Sequence, residues 1–252
     1  MPKTNNFARA MLEAFLANSV ATTDTPAAAA NVVDTLILKH GTPGTLYVSL
    51  HTASPGLTGS QNTNEIAYTG YARIALTRGA ASIWDFAVDA EGATAQNDDA
   101  VTFGKMTAGA GGIARFWGIG TASSGAGVLL WWGPLALETA KPFTVTDLPT
   151  DASSANNDII CNQSYAAGDQ VIFLDVPGAA LPAATPALAD TYFYVIAAGL
   201  NTEKFRVSTT SGGSSIDITG EGSGYVAKVL EKNITLNDEP KIDANAMTIL
   251  ER

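Results

Sequence analysis

The sequence predicts a mainly β protein: an antiparallel β-sandwich or barrel with one or two N-terminal helices and an inserted small β domain. Three observations carry this. Many short segments alternate apolar and polar residues with a period of two. Gly- and Ser-rich turns separate those segments at short spacing. Helical periodicity is confined to residues 5–40.

The chain begins with a short amphipathic helix over 5–18, where Ala8, Met11, Leu12, Phe15 and Leu16 recur at intervals of three and four. Residues 19–26 break it. A second helix is expected over 27–40. Thr25 suits its N-cap, Pro26 its first position and Gly41 the residue past its end, with Val32, Val33, Leu36 and Ile37 as the apolar stripe.

Residues 45–78, TLYVSLHTASPGLTGSQNTNEIAYTGYARIALTR, are the centre of the pattern. Leu46, Val48 and Leu50 share one face of a strand, opposite Tyr47, Ser49 and His51. From Ile66 onward Tyr68, Ala72, Ile74 and Leu76 share a face. The loop between, 53–65, is rich in Ser, Gly, Asn and Thr and reads as an exposed turn region. Further strands are expected at 82–88, 100–103 and 113–121, with a polar turn over 89–99 and a Gly-rich loop over 107–112. Ile113, Arg115, Trp117 and Ile119 share one parity. Residues 128–132, VLLWW, are apolar on both faces, which suits a central or covered strand. Trp131 and Trp132 cannot both face one core, so one of them is expected at a subunit interface.

The texture changes after residue 147. Residues 150–157 read as a linker, and strands follow at 167–174, 191–197, 204–208 and 215–219. The first pattern resumes near residue 230. The expected division is an N-terminal helix or arm (1–25), a helix-and-sandwich core domain (26–148 with 230–252), and an inserted β-module (150–229) that projects from the core.

Composition narrows the function. The chain has 252 residues, 14 basic and 24 acidic, for a net charge of −10. The basic residues are scattered, so nucleic acid is not an expected partner. No apolar run reaches the ~20 residues that span a bilayer, and no signal-peptide pattern opens the sequence. Cys161 is the sole cysteine, so no disulfide can form within the chain.

LYVSLHTASPG followed by NEIAYTGYARIALTR resembles a family of small tailed-phage virion proteins usually labelled tail fibre proteins, some of which are capsid decoration (cement) proteins. The order of 99–103, 114–119, 128–133, 232–236 and 246–250 continues the resemblance, which covers about 26–148 and 230–252. Within 155–226, GDQVIF, TYFYVIAAG and NTEKFRVSTTSGGSSIDITGEGSG resemble a small β-module that recurs in phage virion and tail proteins.

No catalytic pattern accompanies it. His40 and His51 are the only histidines; His51 is expected at a surface or interface, and His40 at a helix C-terminus. No Gly-x-Ser-x-Gly elbow is present, and Gly118-Ile-Gly120 fails the dinucleotide spacing, so its glycines are read as serving turns and close backbone packing. No cofactor or metal is expected, and an enzyme such as a virion depolymerase is the weakest reading. The resemblance implies a non-enzymatic virion protein. The first expectation is a capsid decoration protein that binds the outside of the major capsid protein shell as a dimer or trimer, its module contacting a host surface glycan or receptor. The alternative is a tail fibre or tail-tip protein held by tail or baseplate proteins. Tyr47, Tyr71, Arg73, Trp117, Trp131 and Trp132 are the candidate interface residues, on the enrichment of aromatics and Arg at interfaces.

Overall fold

The computed structural model describes residues 5–17, 44–78, 83–88, 92–146, 157–175, 180–189 and 191–251. The helix expected over 27–40 lies outside them, as does nearly all of the linker expected over 150–157. The chain divides into two compact units, one of residues 1–135 with 231–252 and one of residues 136–230.

The first unit starts with α1 (Asn5–Leu12), extended by a π-helical turn over Glu13–Ala17. Its strands are β1 (Leu46–His51), β2 (Ile74–Leu76), β3 (Trp84–Val88), β4 (Ala93–Asn97), β5 (Val101–Thr102), β6 (Gly112–Ala114), β7 (Phe116–Gly120) and β8 (Leu129–Pro134). The second unit follows with β9 (Lys141–Val145), β10 (Ile159–Ile160), β11 (Gln170–Leu174), β12 (Ala184–Thr185), β13 (Tyr192–Ile196), β14 (Lys204–Ser208), β15 (Asp217–Ile218) and β16 (Gly222–Lys228). The chain then returns to the first unit for β17 (Lys232–Ile234), β18 (Lys241–Ile242) and β19 (Thr248–Glu251). The protein is mainly β, the ladders between its described strands are antiparallel, and a helix lies at the N-terminal end, as the sequence pattern predicts.

In the first unit a four-stranded sheet runs β2-β1-β7-β8, and a three-stranded sheet runs β19-β4-β3. Two-stranded pairs β17-β6 and β18-β5 tie the returning segment to the rest. Alternation explains the core. Leu46, Val48 and Leu50 of β1 point inward with Trp117 and Ile119 of β7, and meet Leu76, Trp84, Phe103, Met106, Ile242 and Ile249. The helix closes this core with Ala8, Leu12 and Leu16, the stripe set by its three-four spacing.

The second unit is a closed six-stranded barrel, β10-β14-β13-β11-β16-β9, with β12-β15 beside it. Every second residue points in. Phe143, Phe173, Phe193 and Phe205 fill the barrel with Val171, Val195, Val207 and Val226. Phe173 packs edge-on against Phe143 at 5.1 Å and Phe193 at 5.9 Å, and stacks on Phe205 at 6.4 Å. Each buried Phe contributes about 1.5–3 kcal/mol by burial. Gly224 takes an inward position on β16, where a Cβ would sit 2.8 Å from Leu181 and 3.1 Å from the Phe143 ring. The barrel segment begins and ends on paired backbone: Leu137 bridges Val229, and the Leu230 amide donates to the Ala136 carbonyl at 2.9 Å.

Several local expectations change. The stretch 89–99, read as a polar turn, contains β4, whose Ala93 and Ala95 are buried. Asn97 ends that strand by using its side chain inside the fold. Its Oδ1 accepts from the Met247 amide, and its Nδ2 donates to the carbonyls of Asp99 and Asp243. The strand expected from Ile66 onward shrinks to β2, because the chain turns at Gly70 in a left-handed conformation (φ 106°). Residues 113–121 split at Arg115 into β6 and β7. β8 is apolar on both faces yet stands at the edge of its sheet. Lys141–Val145, grouped by pattern with 26–148, pairs with β16 and β10 inside the barrel.

Candidate functional site

The second face of β1 is where the sequence reading falls short. Ser49 and His51 point away from the apolar core, yet both are buried. The loop 53–65 covers them, so it is a lid on the sheet as well as an exposed turn. The Thr52 amide donates to the Asn64 carbonyl at 2.8 Å, and the Ile66 amide to the Leu50 carbonyl at 2.9 Å.

His51, expected at a surface or interface, has 0 % exposure within the chain. Its Nδ1 lies 2.8 Å from the Thr63 carbonyl, which can only accept, so Nδ1 carries the proton. Nε2 is then the acceptor for the Ser49 hydroxyl at 2.9 Å. Burial pulls the imidazole pKa below its ordinary value, against a raising effect of the Thr63 hydrogen bond. A Ser–His–carbonyl chain has the connectivity of an activated nucleophile. Here both side chains are sealed, so no substrate carbonyl reaches Ser49 Oγ, and the chain of bonds fastens the loop to the strand.

Gln61, also fully buried, extends this polar layer. Its amide donates to the Gly127 carbonyl at 2.9 Å, its Nε2 to the Tyr47 carbonyl at 3.3 Å, and its Oε1 accepts from the Ala122 amide at 2.8 Å. Room for these side chains comes from β7. A Cβ at Gly118 would lie 2.6 Å from His51 Nε2, and one at Gly120 would lie 2.2 Å from Gln61 Cδ. The close backbone packing read from Gly118-Ile-Gly120 thus has a definite object, the His51 and Gln61 side chains.

Glu65 and Arg73 close the arrangement. Arg73 Nε and Nη2 donate to Glu65 Oε1 and Oε2, both at 2.7 Å. Nη1 donates to the Ala122 carbonyl at 2.9 Å, and Nη2 also to the Gly125 carbonyl at 2.7 Å. The hydrogen bond to Glu65 raises the guanidinium pKa above its ordinary value. Tyr71 OH donates to Glu65 Oε1 at 2.9 Å and accepts from the Leu50 amide at 3.0 Å. Burial raises its phenol pKa. Two surface loops, 53–65 and 121–128, are therefore held as one by buried groups.

The six candidate interface residues fall into different settings. Arg73 and Trp117 are buried and bound internally; neither offers surface to a partner, and their side-chain types have structural uses instead. Tyr71 is half-buried, stacked on Phe103 with centroids 6.0 Å apart. Tyr47 is half-buried on β1. Trp131 faces the core side and meets Phe15 edge-on at 5.8 Å, while Trp132 faces the other side and meets Phe116 at 5.8 Å. The two tryptophans do point to opposite faces, as their adjacency on a strand requires. Residue-type enrichment missed Ser49, Gln61, Thr63 and Glu65. The signal available for them was the pair of glycines two apart on β7, which mark a strand face that must accommodate large neighbours.

No curated protein matches this sequence. Residues 10–156 match the family of the Podophage GP4 fiber I protein gp80, more than half of the chain, taking in the four-stranded sheet and the polar layer of the first unit. On that match the chain belongs to the gp80 fibre protein family and is a structural component of a phage virion.

Proposed function

We propose that this protein is a fibre-type component of the phage tail, in which the first unit attaches to the virion and the barrel contacts the host surface. One observation carries the reading. The family match covers residues 10–135 of the first unit and stops at residue 156, with β9 the one barrel strand it includes. A shared attachment unit with a barrel that lies mostly outside the shared region suits a part that docks on a common structure and meets a varying one. Aromatic and aliphatic side chains on the outer barrel face, including the exposed Tyr225, supply surface for a sugar or receptor.

A second reading, capsid decoration, is favoured by the compactness of both units, with no fibrous repeat among the described residues. In that role the first unit would bridge neighbouring copies of the major capsid protein, and small interface energies repeated over the shell would add up. Densitometry of purified virions against the major capsid protein separates the two. About a dozen copies or fewer supports the tail; hundreds of copies sinks the tail reading in favour of the shell. Purified protein that competes with phage adsorption would support host contact by the barrel. Absence of competition at saturating protein would remove that part.

A further inference from the structure

We propose that the end of the first unit formed by loops 53–64 and 121–128 is the surface on which a second copy of this chain docks. The proposal stands whether the protein sits on tail or shell. Four observations meet there.

First, the surface has no ionisable side chain. Residues 53–64 and 121–134 contain no Asp, Glu, Lys, Arg or His, in a chain of net charge −10. Two copies of such a chain share the same net charge, and a contact free of ionisable groups adds no local like-charge pair to that repulsion. A strongly basic partner would seek the acidic remainder of the molecule, whereas a copy of the same chain meets least local repulsion at a neutral face. Second, each loop holds a large aliphatic side chain out in solvent, Leu57 at 90 % and Val128 at 61 % exposure. They are the two most exposed large hydrophobic residues among those described. Third, the two loops are one rigid piece. The Gln61 amide bonds the Gly127 carbonyl, immediately before Val128, and Arg73 binds the Ala122 and Gly125 carbonyls from below. A preformed loop surface loses little conformational entropy on association. Fourth, β8 continues from Val128 as the edge strand of the sheet, so the neutral surface borders a strand edge with no charged side chain to deter pairing. Thr58, Asn62, Asn64, Thr121, Ser123 and Ser124, exposed in the same two loops, supply polar groups of the kind found at interface rims.

The test is sedimentation equilibrium of the full chain over micromolar concentrations, with Leu57→Asp/Val128→Asp beside the wild type. Leu236→Asp is the control: Leu236 is 57 % exposed and lies in neither loop. The wild type is expected to assemble, the double variant to associate at least ~10-fold more weakly, and the control to match the wild type. Circular dichroism verifies the fold, and Leu57→Ser/Val128→Ser serves as a second variant if the aspartates disturb it. A monomeric wild type overturns the proposal. So does a folded double variant that assembles like the wild type, or a control that weakens assembly equally.

Discussion

Arg73 and Glu65 sit eight residues apart and face each other through two parallel hydrogen bonds of 2.7 Å, with the Arg73 side chain almost wholly shielded from water. This pair connects three stretches. Glu65 ends the loop over β1, Arg73 precedes β2, and the two remaining Arg73 bonds reach the loop before β8.

Arg73→Ala should therefore cost more than a surface ion pair. Removal leaves the Glu65 carboxylate and the Ala122 and Gly125 carbonyls without the Arg73 donor. We expect about 3–5 kcal/mol of destabilisation of the first unit, read as a lowered urea midpoint. Arg73→Lys keeps the charge without the planar fork and should recover only part of it. A midpoint unchanged by Arg73→Ala would show that the clamp contributes nothing.

His51 gives a pH dependence with a definite sign. Its folded pKa is depressed, so the folded state binds fewer protons than the unfolded one below the ordinary value. Its contribution is complete above about pH 6.5 and is lost progressively as pH falls toward the folded value. Glu65 opposes the shift and Arg73 adds to it, burial being the first cause. Unfolding free energy measured between pH 7 and 5 should fall less steeply in His51→Gln than in the wild type. Identical slopes would exclude His51 as the titrating group.

Gly120→Ala should be costly and Gly44→Ala near neutral. A Cβ at Gly120 meets Gln61 Cδ at 2.2 Å and the Val128 carbonyl oxygen at 2.3 Å, and the second of these is backbone. At Gly44 nothing lies within 4 Å. We expect about 1–3 kcal/mol for the first, with faster amide exchange at Gln61 and Ala122, and a change within ~0.5 kcal/mol for the second. Equal effects would mean the polar layer yields freely.

Cys161 reports on the barrel. It is buried, and burial raises its thiol pKa, so it should resist thiol reagents while the barrel is folded. Phe173→Ala removes a ring packed against Phe143, Phe193 and Phe205 and should cost about 3–5 kcal/mol. Labelling of Cys161 should then accelerate by orders of magnitude. Rapid labelling of the wild type would place the thiol at the surface instead.

The extent to which the sequence discloses these features follows from their physics. Strands such as β1, β11, β13 and β14 are legible because one residue in two must be apolar to face a core. β4 is not, because its inward residues are Ala93, Ala95 and Asn97, too small or too polar to register as an apolar face. The edge position of β8 is illegible for a related reason: Leu and Trp on both faces look the same whether a strand or another surface covers them. The polar layer under loop 53–65 is hidden because Ser49, His51 and Gln61 are residue types common in solvent. Only their pairing with Gly118, Gly120 and the Thr63 carbonyl, distant in sequence, makes their burial affordable.

The hydrogen bond from Leu230 to Ala136 has a consequence at the level of the gene. Ninety-odd codons lie between two neighbouring points in space. A recombination event that replaces that interval with any other cassette whose ends meet at the same spacing leaves both flanks unstretched. Such a lineage can exchange its barrel in one crossover pair, while residues 10–135 of the segment shared with the fibre family pass on unaltered.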